Sequence, residues 1–258
     1  MITEIKDGYV KVEREHDIAT IEFHHPQSNS LPARLLDAIA QSIQDEGLNM
    51  HTKVIVLRSK GEKSFCSGAS FDELSAITSE QQGLQFFSGF SRVINAMRNT
   101  PQFIIARIHS KCVGGGVGLA AAADYAIAVE GADIKLSELA VGIGPFVVGP
   151  AVERKIGLSA FSQLTIDATM WRSADWARRK GLYAELHGDI EGMDNSIERL
   201  STTLSRNNPE AMSALKKLFW GGTENWDDML LERAAISGSL ILSDYSKAFI
   251  EKFKTKAK

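Results

Sequence analysis

The chain has 258 residues, 44% of them apolar, enough to bury a core in one large domain or a domain with an appendage, which excludes a disordered or fibrous protein. Lys and Arg number 29 against 32 Asp and Glu, so the formal charge of -3 gives a nucleic-acid partner no global support, and an anionic ligand must meet local cations. Cys66 and Cys112 lie far apart without CxxC or His-rich spacing, which argues against a disulfide framework or a metal site and for a reducing compartment.

The N-terminal "MITEIKDGYVKVEREHDIATIEF" alternates charged with apolar residues instead of building a signal-peptide core. No apolar run approaches membrane-spanning length, so the chain reads as cytoplasmic. Tyr9 to Val12 and Ala19 to Phe23, separated by "EREHD", predict a hairpin. A helix follows, with Ser30 as its cap, Pro32 in its first turn, and Leu35, Leu36, Ile39 and Ile43 as its apolar stripe. Lys53 to Ser59 and Phe103 to His109 are short continuous apolar strands. Between them Leu74, Ile77, Leu84, Phe87, Phe90, Ile94 and Met97 recur at helical spacing, interrupted near Ser79 and Gly83. Tyr125 to Glu130 is a further strand. From about Asp194 strand signals stop, and helical patterns run to the basic tail "AFIEKFKTKAK". The expectation is an α/β chain with a core over 1-193 and a helical region over 194-258.

"KCVGGGVGLAAAAD", Lys111 to Asp124, sets three glycines at the mouth of an alanine-rich helix, where glycine weakens the helix and bares the backbone. A phosphate cradle fails, because neither GxGxxG nor GxxxxGK[ST] fits. Two readings stay open: N–H donors for a negative charge developing on a carbonyl oxygen, each typically worth ~3 kcal/mol in the transition state, or close helix-on-sheet packing. "KSFCSGASFDEL", Lys63 to Leu74, is a second strand-turn-helix segment, with Ser70 and Glu73 spaced as a capping box. Two such turns supply one donor each.

These segments resemble the crotonase superfamily, the enoyl-CoA hydratase/isomerase family. "VIVLRSKGEKSFCSGASFDEL" is similar to its strand plus F-x-x-G-A-D-[IL] turn, and "GGGVGLAAAADYAIA" to its GGG-x-E-L-A-x-x-x-D-x-x-x-A segment. "KLSELAVGIGPFVVGPAVERKIG" and "WRSADWARRKGLYAEL" are similar to the acid-bearing loop and the S-A-x-x-A-x-x-x-G-L-V stretch, in order over residues 9 to 190. The resemblance implies a crotonase-like α/β spiral of repeated ββα units, a helical C-terminal region that forms a homotrimer or dimer of trimers, an acyl-CoA thioester as substrate, and no cofactor or metal. It implies that the N–H groups of Ala69 and Gly115 hold a thioester enolate.

The two-glutamate hydratases carry acids at the places of Gly118 and Glu138, so this chain keeps only the second. A single buried glutamate with raised pKa is the arrangement of the family's double-bond isomerases, which makes isomerisation the leading implication. Hydration or another acyl-CoA lyase reaction is the alternative, and an impaired acyl-CoA-binding protein is the alternative of another class. The resemblance also assigns CoA or acyl contacts to Lys63, Ser67, Gly68, Phe71, Gly114, Gly118, Phe249 and Lys252, with Phe249 and Lys252 reaching a neighbouring subunit's site. Ser70 stands in place of the family's usual Asp, and Asp124 matches a structural aspartate. Phe86, Phe87 and Phe90 are candidates for an acyl wall or for plain core; both cysteines read as packing residues, and His24 and His25 receive no metal role.

Overall fold

Three N-terminal strands, Ile2–Ile5 (β1), Gly8–Glu15 (β2) and Ile18–His24 (β3), pair antiparallel. The expected hairpin is real and turns at His16 and Asp17, whose φ angles of 47° and 64° suit a two-residue turn matched to strand twist. The computed structural model describes residues 2–5 and 8–256, with side chains from residue 8 to residue 252, so the end of the basic tail lies outside the described residues.

Ala33–Leu48 (α1) buries Leu35, Leu36, Ile39 and Ile43 as the stripe requires. Ser30 does not cap it. Pro32 occupies the cap position, and the Ala33 N–H is met from a distant segment, by Glu73 Oε2 at 2.7 Å. The capping box expected at Ser70 is therefore half-formed: Ser70 accepts the Glu73 N–H, while the Glu73 carboxylate serves α1. Val54–Ser59 (β4) precedes a short helix, Phe71–Leu74 (α2), and a long one, Glu80–Asn99 (α3). The break near Ser79 is the start of α3, capped by the Ser79 hydroxyl, and the helix continues through Gly83. Next come Phe103–Ile108 (β5), Cys112–Val113 (β6), Gly115–Ala122 (α4), Tyr125–Val129 (β7), Ile134–Lys135 (β8) and Glu138–Val141 (α5). Gly149–Ile166 (α6), Ala174–Arg179 (α7) and Glu185–His187 (β9) complete the α/β part.

Among the described residues the main sheet runs β1-β2-β3-β4-β5-β7-β9, parallel from β3 onward. The near-continuous burial of β4, β5 and β7 is what parallel strands covered on both faces require. A second ladder climbs beside it through Leu31 with Ala69, Cys66 with Cys112, β6 with β8, and Ile134 with Arg172. Each turn of chain supplies one strand to the sheet and one short segment to this ladder. That is the expected spiral.

The C-terminal helices are Ile190–Ser205 (α8), Pro209–Phe219 (α9), Trp226–Leu240 (α10) and Asp244–Lys256 (α11). The boundary expected at residue 194 falls inside α8, and Asp194 pairs with Arg107 of β5. α10 lies so close to α3 that a Cβ on Gly83 would stand 2.5 Å from the Gly238 Cα. Asp124 ties α9 to the sheet: it accepts from the Ile104 N–H at 2.8 Å, from Lys216 Nζ at 2.9 Å and from the Trp220 indole at 3.1 Å. The aspartate is thus structural, as expected. No helix among the described residues is long and apolar enough to cross a membrane.

Candidate active site

The two small-residue turns are laced together by backbone. Phe65 donates to the Lys111 carbonyl at 3.0 Å and Val113 to the Cys66 carbonyl at 2.9 Å. Gly68, at φ 93°, brings the chain so close that a side chain there would stand 3.6 Å from the Gly115 nitrogen. On the other edge of this turn, the Gly68 carbonyl and the Ser70 amide both bond Leu31, so the Ala69 amide between them faces the opposite way. Gly114 holds φ 53° and ψ -117°, a conformation that only glycine adopts without strain, and it starts α4 with the Gly115 N–H unused by the helix. Neither the Ala69 nor the Gly115 amide has a hydrogen-bond acceptor among the described residues. Both residues line one cavity of about 730 Å³.

The glycine triplet has two further reasons. A side chain on Gly116 would strike the Cys66 carbonyl, and one on Gly115 would strike the Phe90 ring. The second supports the close-packing reading beside the donor reading: the Cβ direction of Gly115 is already taken by a core phenylalanine. Both cysteines are buried and free, and burial pushes the Cys66 thiol up to about 12, consistent with packing residues.

Glu138 opens α5 on the same cavity. A Cβ on Gly114 would lie 2.9 Å from its Oε1, so the carboxylate stands one residue from the Gly115 amide. Its Oε2 is shielded from solvent and has no partner, and burial raises its pKa from 4.5 to about 7, opposed in part by its own backbone N–H. Among the described residues Glu138 is the only carboxylate on the cavity wall. Gly118, expected as a contact, is not on that wall: a Cβ there would meet Val148 Cγ1 at 2.5 Å, and Val148, 4% exposed, fills the space.

Two N–H donors and a proton-accepting carboxylate around an apolar cavity are the parts needed to stabilise a carbonyl oxygen's negative charge and move a neighbouring proton. The sequence model of one family, enoyl-CoA hydratase/isomerase, matches residues 13–254. The chain belongs to that family. The Bacillus subtilis (strain 168) protein YngF, whose name places it among enoyl-CoA hydratases/isomerases, is 31% identical over 207 residues, covering 80% of this chain and 78% of its own. A carnitinyl-CoA dehydratase of Salmonella enteritidis is 26% identical over 211 residues, covering 82% of this chain and 80% of its own. The crystal structure of an enoyl-CoA hydratase from Bacillus halodurans superposes with a TM-score of 0.87 at 22% identity, over 94% of this chain and 99% of that one, which shows the shared fold.

For an acyl-CoA enzyme of the enoyl-CoA hydratase/isomerase family, the expected contacts divide clearly. Ser67, Gly68, Ala69, Phe71, Gly114, Gly115, Glu138 and Phe249 line the cavity, with Phe87 and Phe90 on its wall and Phe86 behind in the core. Lys63 and Lys252 are exposed and off the wall. α11 folds back on its own chain, where Ile250 packs with Leu74, Phe86 and Ile143 and Phe249 lines the cavity. Gly142 permits that docking, since a Cβ there would meet Ser246 Oγ at 2.5 Å. Residues outside the expected set are Ser30, whose hydroxyl has no partner, Val148, and Lys135, the one cation on the wall among the described residues.

Proposed function

We propose that the protein moves a carbon–carbon double bond within an enoyl-CoA thioester, with Glu138 as its single acid–base group. The Ala69 and Gly115 N–H groups donate to the thioester oxygen. Glu138 takes a proton from C2 of a 3-enoyl thioester, the electron pair spreads into a dienolate, and the same proton returns to C4, leaving the conjugated 2-enoyl thioester. No water is added and no cofactor is consumed. Ser67, Gly68, Phe71, Gly114 and Phe249 are assigned to the walls that hold the thioester and its acyl chain. The assembly is assigned as a trimer, and the exposed Leu215, Leu218 and Phe219 on one side of α9 support burial against another copy.

The observation that carries this reading is the unpartnered Glu138 carboxylate oxygen, alone among carboxylates on a wall that also holds two unused amides. Its raised pKa, about 7, suits a group that must both accept and return a proton. Hydration by two acids is disfavoured because Val148 occupies the space that an acid at Gly118, the first of the two places, would need. Asp72 and Glu73, the nearest other acids by sequence, are off the cavity wall: Asp72 bonds Gln27 Nε2 and Glu73 bonds the Ala33 N–H. Incubation of 2-enoyl- and 3-enoyl-CoA in heavy-oxygen water, with mass analysis, tests the proposal. Isomerisation without label is expected, and Glu138→Gln should slow it by about 100-fold or more while CoA-thioester binding persists. Label incorporation as the main product, or binding with no turnover of any enoyl-CoA, overturns it.

A further inference from the structure

Lys135 and Lys111 place their ammonium groups 4.5 and 5.2 Å from the centre of one indole ring, that of Trp171. Neither forms an ion pair among the described residues. Of the acids near them, Asp133 and Asp167 are committed elsewhere, and Glu138, on the same cavity wall as Lys135, makes no ion pair among the described residues. Asp133 accepts the Ala174 N–H at 3.0 Å, and Asp167 pairs with Arg172 at 3.3 Å. Two like charges on one ring without a counter-ion are an arrangement that an incoming anion stabilises, and the ring offsets only part of their repulsion. Lys135 is also a residue of the cavity wall, as are Ala168 and Thr169, just before Trp171. Its carbonyl accepts the Gly114 N–H at 2.9 Å, which sets its backbone beside the two-amide site.

We infer that Lys135, supported by Lys111 and Trp171, receives a carboxylate carried on the acyl part of the substrate, so that the preferred thioesters are those of dicarboxylic acids. The inference rests on the cavity being the acyl-CoA site. The other anions of such a substrate, the CoA phosphates, are separated from the thioester by the long pantetheine arm, whereas Lys135 is hydrogen-bonded to the residue preceding Gly115. Lys135 also lines the same cavity as Ala69, Gly115 and Glu138, so an anion that it receives there belongs to the acyl group. A carboxylate there meets the half-buried Lys135, where an ion pair is stronger than at an open surface, and the exposed Lys111 adds a weaker, salt-screened attraction.

Calorimetric titration with saturated acyl-CoAs, matched in chain length with and without a terminal carboxylate, tests this without any turnover, so it stands or falls separately from the isomerase proposal. Wild-type protein should bind the carboxylated member at least about tenfold more tightly, with the preference shrinking as salt is raised. Lys135→Met should bring the ratio close to one, Lys111→Met should lower it partway, and Lys135→Arg should keep it. Equal wild-type affinity for the matched pair overturns the inference. So does a Lys135→Met variant that weakens free CoA by the same factor as the carboxylated thioester, because the ammonium would then serve phosphate.

Discussion

Installing the acid that two-glutamate hydratases carry should fail in this protein for a reason of space, and a second substitution should repair it. In Gly118→Glu the new Cβ would stand 2.5 Å from Val148 Cγ1 and 2.7 Å from Val148 Cβ. Overpacking of this kind costs about 1–3 kcal/mol. Burying an acid with no partner adds a similar amount, even after its pKa rises to keep it neutral. Together the loss is roughly 3–5 kcal/mol, which lowers the melting temperature by about ten degrees in a chain of this size. Val148→Ala is not enough, since its Cβ remains. Val148→Gly leaves only the Cα, at an ordinary 3.6 Å from the new Cβ, and Val148 sits at the N-cap of α6, a position that tolerates glycine. Scanning calorimetry should therefore show Gly118→Glu strongly destabilised and Gly118→Glu/Val148→Gly largely recovered. The double variant should also gain heavy-oxygen incorporation from 2-enoyl-CoA. A single variant that melts like wild type refutes the packing argument. A well-folded double variant that adds no label refutes the idea that the absent acid is what withholds hydration.

On the proposed mechanism Glu138 acts as a carboxylate base, and with its pKa raised by burial to about 7 the rate of isomerisation of a 3-enoyl-CoA should climb with pH through about 7 and then level. Stability moves the other way. Unfolded chain releases this proton near 4.5 and folded chain keeps it to about 7, so wild type should lose stability relative to Glu138→Gln across that window; a flat difference in melting temperature would contradict the assignment. Asp124→Asn leaves the 2%-exposed Lys216 ammonium without its carboxylate and should cost ~3–5 kcal/mol by urea denaturation, most of it regained in Asp124→Asn/Lys216→Met.

Spacing along the chain determined four strands of the parallel sheet, β3, β4, β5 and β7, the buried stripe of α1 and the two small-residue turns, because each depends on neighbours within one turn or one strand, while the isolated acid at Glu138 came from the family resemblance. The same local signals misread Ser30 as a cap, since the competing acceptor for the Ala33 N–H comes from Glu73, and left open whether the glycines are bare for a ligand or for packing, where Phe90 of α3 lies against Gly115. Lys63 and Lys252 look in sequence like any basic contact, and only their place off the cavity separates them from Lys135. Gly118 shows the division most sharply. Its identity announces a missing carboxylate, but whether the vacancy holds water, substrate or protein is decided by Val148, thirty residues away, brought there when α6 packs on α4. A chain's periodicity records which face of an element is buried; what fills the space beyond that face is a property of close packing between elements, which no local pattern encodes.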